Sequence, residues 1–113
     1  MKEHKEHRSY PRAISKIEIV FFTDQQPDKS KGYTRDFSAT GISFPVHQTI
    51  PVGSMIHLEL NLPDLNKNIK TRATIIREWL EEDVKYVSVQ FFDIDYHDFI
   101  ILLDYSLTFQ IEK

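Results

Sequence analysis

Met55-Ile56-His57-Leu58-Glu59-Leu60-Asn61-Leu62 carries the clearest pattern in the chain. Ile56, Leu58, Leu60 and Leu62 point one way, while Met55, His57, Glu59 and Asn61 point the other. A strict period of two marks a strand with one buried and one wet face. The stretches on either side carry the same period. Upstream, Ile14 to Thr23 is rich in β-branched and aromatic residues, and Ile17, Ile19 and Phe21 alternate with Glu18, Val20 and Phe22. A polar loop from Asp24 to Gly32 leads into a second strand, Tyr33 to Phe37, which runs into a corner at Ser38 to Gly41. Ile42 to Val46 is a short third strand, followed by the turn signal Pro51-Val52-Gly53. Downstream, Pro63 to Asn68 is a turn, Ile69 to Leu80 a long fifth strand containing Ala73, Ile75 and Trp79, and Glu81-Glu82-Asp83 an acidic tight turn. Tyr86 to Phe92 is the sixth strand, with Val87, Val89 and Phe91 on one face.

The character changes at Asp95. Asp95 with Asp98 resembles a helix N-cap and an acidic first turn, and Phe99, Leu102, Leu103 and Ser106 fall at helical spacing. The pattern predicts a C-terminal α-helix over about residues 95–107, although the β-branched tail from Thr108 to Ile111 can also extend as strand. The whole reads as mainly β: a six-stranded antiparallel barrel, closed or split, over residues 13–113, ending in that helix. A barrel this small fills its interior with side chains, so a ligand is expected outside it, on the rim or wall.

The 113 residues form one domain, and 41% apolar against 27% charged residues is ordinary for a folded globule. The chain has no cysteine, which excludes a disulfide scaffold and Cys-ligated zinc and fits a reducing, cytoplasmic setting. No apolar run reaches the length of a membrane span, and the polar N-terminus has no secretory h-region. The net charge of −3 is unevenly placed. Residues 1–12, read as a flexible arm, carry Lys2, Lys5, Arg8 and Arg12 against Glu3 and Glu6, whereas ten basic residues face fifteen acidic ones in the remainder. A positive arm on an acidic body suits a small anion rather than DNA or RNA.

Two motifs carry chemistry. Arg8-Ser9-Tyr10-Pro11-Arg12 sets two guanidiniums on a proline-stiffened arm, and arginine forks suit phosphates and the O6/N7 edge of guanine. Asp36-Phe37-Ser38-Ala39-Thr40-Gly41 sets a carboxylate, a hydroxyl and a bare backbone at a strand corner, where an aspartate can accept the N–H donors of guanine's other edge. Each motif has a bland reading, the first as a solvated basic tail and the second as an Asx or Ser turn ended by glycine. In this chain of three glycines, one at a corner marks a positive φ or a close ligand approach.

Taken together, and in this order, the two motifs resemble the signatures of the PilZ domain family. The succession of arm, strand, loop, strand, Asp-x-Ser-x-x-Gly corner, further strands and terminal helix agrees with that family over residues 8 to 107. Gly53-Ser54-Met55-Ile56-His57-Leu58 is similar to its Gly-initiated fourth strand, and Tyr86-Val87-Ser88-Val89-Gln90-Phe91 to its late strand, where glycine often replaces Ser88. The resemblance implies a bacterial receptor for the second messenger cyclic di-GMP, with no further cofactor. Arg8 and Arg12 would clamp the phosphates and stack on or bond to guanine. Asp36 and Ser38 would contact the guanine edge, and Gly41 would admit the ligand to the backbone. His7, standing where a further arginine is frequent, and Ser88 are additional candidates. Closing of the arm on the ligand would then change the surface offered to an effector protein.

Other readings carry less. His4-x-x-His7 offers two ligands where a tight transition-metal site wants three or four, so no metal is expected. His57 and His97 read as surface residues. No catalytic triad order, Gly-rich phosphate loop or metalloenzyme signature is present, so no enzyme is expected. A PilZ-fold module that binds only proteins is the alternative to the receptor, and an OB-type single-strand binder is disfavoured by the acidic body. The run from Phe99 to Leu103 is apolar nearly all round, more than packing on a barrel requires, which points to a helix-mediated homodimer or a hydrophobic partner contact.

Overall fold

The computed structural model describes residues 16–62 and 65–108. Its strands are β1 (Glu18–Phe22), β2 (Ser30–Tyr33), β3 (Asp36–Phe37), β4 (Gly41–Val46), β5 (Met55–Leu62), β6 (Lys67–Glu81) and β7 (Val84–Phe91), followed by the helix α1 (Tyr96–Thr108). They form one antiparallel sheet in the order β2-β1-β5-β6-β7-β4-β3, curled into a half-barrel.

The sheet has seven strands where six were expected, and the difference lies in the second one. Ser30 to Tyr33 pairs with β1, whereas Asp36 and Phe37 pair with β4 at the opposite edge of the sheet. The chain changes edges at Thr34-Arg35. Thr34 stays with the first edge: its amide donates to the Ile17 carbonyl at 3.0 Å, and the Ile17 amide donates to its hydroxyl at 2.9 Å. Arg35 joins the other edge, its amide donating to the Ser43 carbonyl at 2.8 Å. One two-residue step thus holds both rims of the split together. Both edge strands are short, which limits the backbone they offer to another chain.

The alternation read in Met55–Leu62 is realised directly, with Ile56, Leu58, Leu60 and Leu62 buried and the intervening residues half-buried. These leucines and isoleucines meet Ile17 just before β1, Ile19 and Phe21 from β1, Phe37 from β3, Ile42 and Phe44 from β4, and Ile69, Ala73 and Ile75 from β6. Val87, Val89 and Phe91 of β7 complete the wall. Leu102 and Tyr105 of α1 close one end of the core, Tyr105 with its ring 5.7 Å from that of Phe37. The helix begins where Asp95 places it. The Asp95 carboxylate accepts from the amides of His97 and Asp98 at 3.0 and 3.4 Å, satisfying two of the donors that a helix start leaves open.

Two local features shape the outer wall. The β6–β7 hairpin turns on Glu82 and Asp83, both in the left-handed region at φ 52° and 70°, so a type I′ geometry is held here by two acidic residues and no glycine. Within β6 the register slips between Ile75 and Arg77, leaving Ile76 as a bulge. Up to Ile75 the odd-numbered residues face the core, as Ile69, Ala73 and Ile75 do. Beyond the bulge the phase inverts, and Arg77, Trp79 and Glu81 face outward.

Candidate ligand-binding site

The Asp36–Gly41 corner is tied down by its own hydrogen bonds. The Ser38 amide donates to the Gly41 carbonyl at 2.9 Å, closing the turn. The Ser38 hydroxyl accepts from the Thr40 amide at 3.2 Å, meets the Thr40 hydroxyl at 3.2 Å and donates to the Gly41 carbonyl at 3.4 Å. With 1% of its surface exposed, Ser38 shapes the corner from inside. The Thr40 carbonyl then accepts from the Phe91 amide at 2.9 Å, pinning the corner to the end of β7. Gly41 has a specific reason to be glycine, and it is not a positive φ. A Cβ there would stand 2.2 Å from the Val89 carbonyl oxygen, so the close approach it serves is that of β7 itself.

Phe37 is buried, so its neighbour Asp36 stands on the outer face. From Asp36 a row of side chains crosses four strands. Asp36 pairs with Ser43, Ser43 with Ser88, and Ser88 with Arg77. The row forms the floor of a groove of about 620 Å³ on the outer wall, to which Gly41, Trp79 and Glu81 also contribute. The structure therefore brings Asp36, Gly41 and Ser88 together around one groove and leaves Ser38 beneath it. Arg8, Arg12 and His7 lie outside the described residues, as do the whole arm of residues 1–12 and the His4-x-x-His7 pair. Another hollow, of about 570 Å³, opens at the seam between β2 and β4 and holds none of the motif residues.

A column of flat groups runs from the far wall of the groove to the other hollow, which Tyr86 lines. The Arg77 guanidinium lies 4.5 Å from the Trp79 ring centre, Trp79 stacks on Tyr86 at 5.6 Å and 20°, and Arg35 lies 5.0 Å from the Tyr86 ring. Glu81 ties the column together. Both its oxygens accept from the Arg35 guanidinium, and one also accepts from the Trp79 indole N–H at 3.3 Å. The bond from Arg35, and then that from Trp79, holds the Glu81 carboxyl below its usual range, while the bond to Glu81 raises Arg35 above its ordinary value. Arg35, Ser43, Arg77, Trp79 and Glu81 line the groove, and the two motifs do not mark them. Arg77-x-Trp79-x-Glu81 alternates at strand period, but its outward phase is set by the bulge, which the sequence pattern does not display.

A model of the PilZ domain matches residues 6–107, most of the chain and both motifs. The chain belongs to the PilZ domain family. No curated protein sequence matches it significantly. Among solved structures, the Bacillus subtilis inhibitor of motility MotI/DgrA superposes with a TM-score of 0.83 at 18% identity, covering 96% of this chain and 51% of that one. The PilZ domain of YcgR from Escherichia coli, solved with c-di-GMP, gives 0.69 at 13% identity and covers 90% of each chain. MrkH from K. pneumonia in its apo state gives 0.73 at 13% identity over 96% of this chain and 53% of that one. The chain thus spans about half the length of the motility inhibitor and of MrkH.

Elsewhere on this PilZ domain, His57 is a surface residue, stacked on Phe22 at 4.6 Å and bonded to Asp24 at 3.1 Å. Among the described residues there is no group of three or more His, Cys, Asp or Glu that could hold a metal ion, and no helix long and apolar enough to cross a membrane.

Proposed function

We propose that this PilZ domain is a bacterial cyclic di-GMP receptor that binds the dinucleotide between the Arg8–Arg12 arm and the outer-wall groove beginning at Asp36. The observation that carries the reading is the charge balance of the groove. Arg35 and Arg77 face Asp36 and Glu81, and Arg35 is already engaged by Glu81. A cyclic dinucleotide brings two phosphate charges to a surface that is electrically even, so the affinity must come from cations outside it. Arg8 and Arg12 are those cations by motif, and guanidiniums bind phosphates as forks. Asp36, on the outer face, accepts the guanine N–H donors, while the Arg77–Trp79 column offers a flat surface for a base. Ser38 and Gly41 act by holding the corner in shape, with Ser88 on the floor beneath the ligand.

Binding draws the arm onto the wall, and the new surface signals to an effector protein in the cytoplasm, where the messenger is made. No cofactor or catalytic step is required. A second reading, in which the domain works through protein contacts alone, draws on α1. Tyr96, Ile100 and Leu107 are 74%, 40% and 51% exposed and share one side of the helix, a stripe fit for an effector or a second copy of the chain. Calorimetry with cyclic di-GMP separates the readings. Heat is expected with the wild type and should be lost in Arg12→Ala and Asp36→Ala; a wild type that binds no dinucleotide leaves only the protein-contact reading.

A further inference from the structure

Ser43 stands at the centre of the polar row, between Asp36 and Ser88 in register. Its neighbours along β4, Ile42 and Phe44, are fully buried in the core, so its side chain lies on the outer face and lines the groove. It is nevertheless only 3% exposed, and its hydroxyl has no hydrogen-bond partner among the described residues. The backbone around it is in order, the Ser43 carbonyl accepting from the Arg35 amide. The orphan is the side chain alone.

A buried hydroxyl without a partner lowers stability, and alanine would fill the same position without that cost. Ser38, as deeply buried 5 positions earlier, shows how this fold treats a serine that it uses structurally: three contacts engage its hydroxyl. Ser43 has the burial without the bonds. A group so placed, facing a groove, is poised for a partner that arrives with the ligand.

We infer that Ser43 is a ligand-contact residue, its hydroxyl donating to the base edge of the guanine whose N–H groups Asp36 accepts. The inference rests on the cyclic di-GMP reading of the groove. Its chemistry follows from adjacency. Directly paired residues on neighbouring strands hold their Cβ atoms about 5 Å apart. On guanine the acceptor O6 adjoins the donor N1–H, so a carboxylate and a hydroxyl side by side can satisfy both. The hydroxyl rotates freely enough to find the acceptor. Ser43 thereby adds to the site a residue that neither motif contains.

The test pairs calorimetry with thermal unfolding on wild type and Ser43→Ala, using cyclic di-GMP as the probe. The expected result is a dinucleotide affinity weaker by about fivefold, with a melting temperature equal to the wild type's or higher. Equal affinity in both proteins overturns the assignment of Ser43 while leaving the receptor reading in place. Weaker binding together with a lower melting temperature also overturns it, since Ser43 would then be structural. A wild type that binds no cyclic di-GMP removes the receptor reading and this inference with it.

Discussion

The two sides of the groove are built in opposite ways. The Asp36–Gly41 corner is held by short-range hydrogen bonds between backbone and side chains, buried and fixed before any ligand arrives. The β6–β7 wall is a column of half-buried rings between exposed guanidiniums, Arg77 on Trp79 on Tyr86 on the Arg35 of the β2–β3 step, held by stacking and by Glu81. A corner of the first kind tolerates little change and carries its own folding energy. A wall of the second kind can be altered cheaply, so substitutions there should report on binding more than on stability.

The sharpest way to break that contrast is Gly41→Ala. The new methyl would need space held by a backbone oxygen 2.2 Å away, so β4 and β7 must part at that point. A loss of about 3 kcal/mol is expected, of the order seen when a packed interior is overfilled. Urea unfolding measures it, and a near-neutral result would mean that the strands separate more easily than the packing implies. Ser38→Ala comes next. It leaves the Thr40 amide without its acceptor and should cost about 1–2 kcal/mol in the same measurement.

On the wall, Trp79→Ala removes the centre of the column. About 1 kcal/mol of stability is at stake from the stack, while affinity for cyclic di-GMP should fall by a larger factor than that loss explains. A dinucleotide titration unchanged by this substitution would take the wall out of the site. The smallest effect is expected from acid. Glu81 is held below its ordinary 4.5 first by the Arg35 bond, and Asp93 below its ordinary 3.8 first by the Arg72 amide and then by the Arg72 side chain. Both depressions stabilise the folded state above those ordinary values, and the contribution is lost as pH falls through the lower folded ones. Stability followed by circular dichroism should therefore decline below about pH 4, and Asp93→Asn should flatten the decline slightly. Both carboxylates are solvent-exposed, so the effect is modest.

Much of this was legible in the chain itself. The alternation in Met55–Leu62, the hydrophobic phase of Ile17, Ile19 and Phe21, and the Asp95 cap are local patterns, and local patterns survive into the structure. The Asp-x-Ser-x-x-Gly corner was legible for the same reason, since its hydrogen bonds join residues within a few positions of one another. Two things were not. Tyr33 to Phe37 reads as a continuous strand because nothing in its composition says that its halves pair with opposite edges of the sheet. The bulge at Ile76 is equally silent: carried forward in phase from Ala73 and Ile75, Trp79 would face the core, and only the register with β7 turns it to the groove. The polar row around Ser43 depends on both of these distant facts, through the pairing of Asp36 with Ser43 and of Arg77 with Ser88.

The central claim is that a neutral groove and a positive arm together hold a doubly charged dinucleotide. Calorimetric titration of cyclic di-GMP into the wild type and Arg12→Ala tests it most directly. The account predicts binding by the wild type and its loss in the variant, whose groove remains intact. Binding of equal strength in both would contradict it, because the groove would then need no arm.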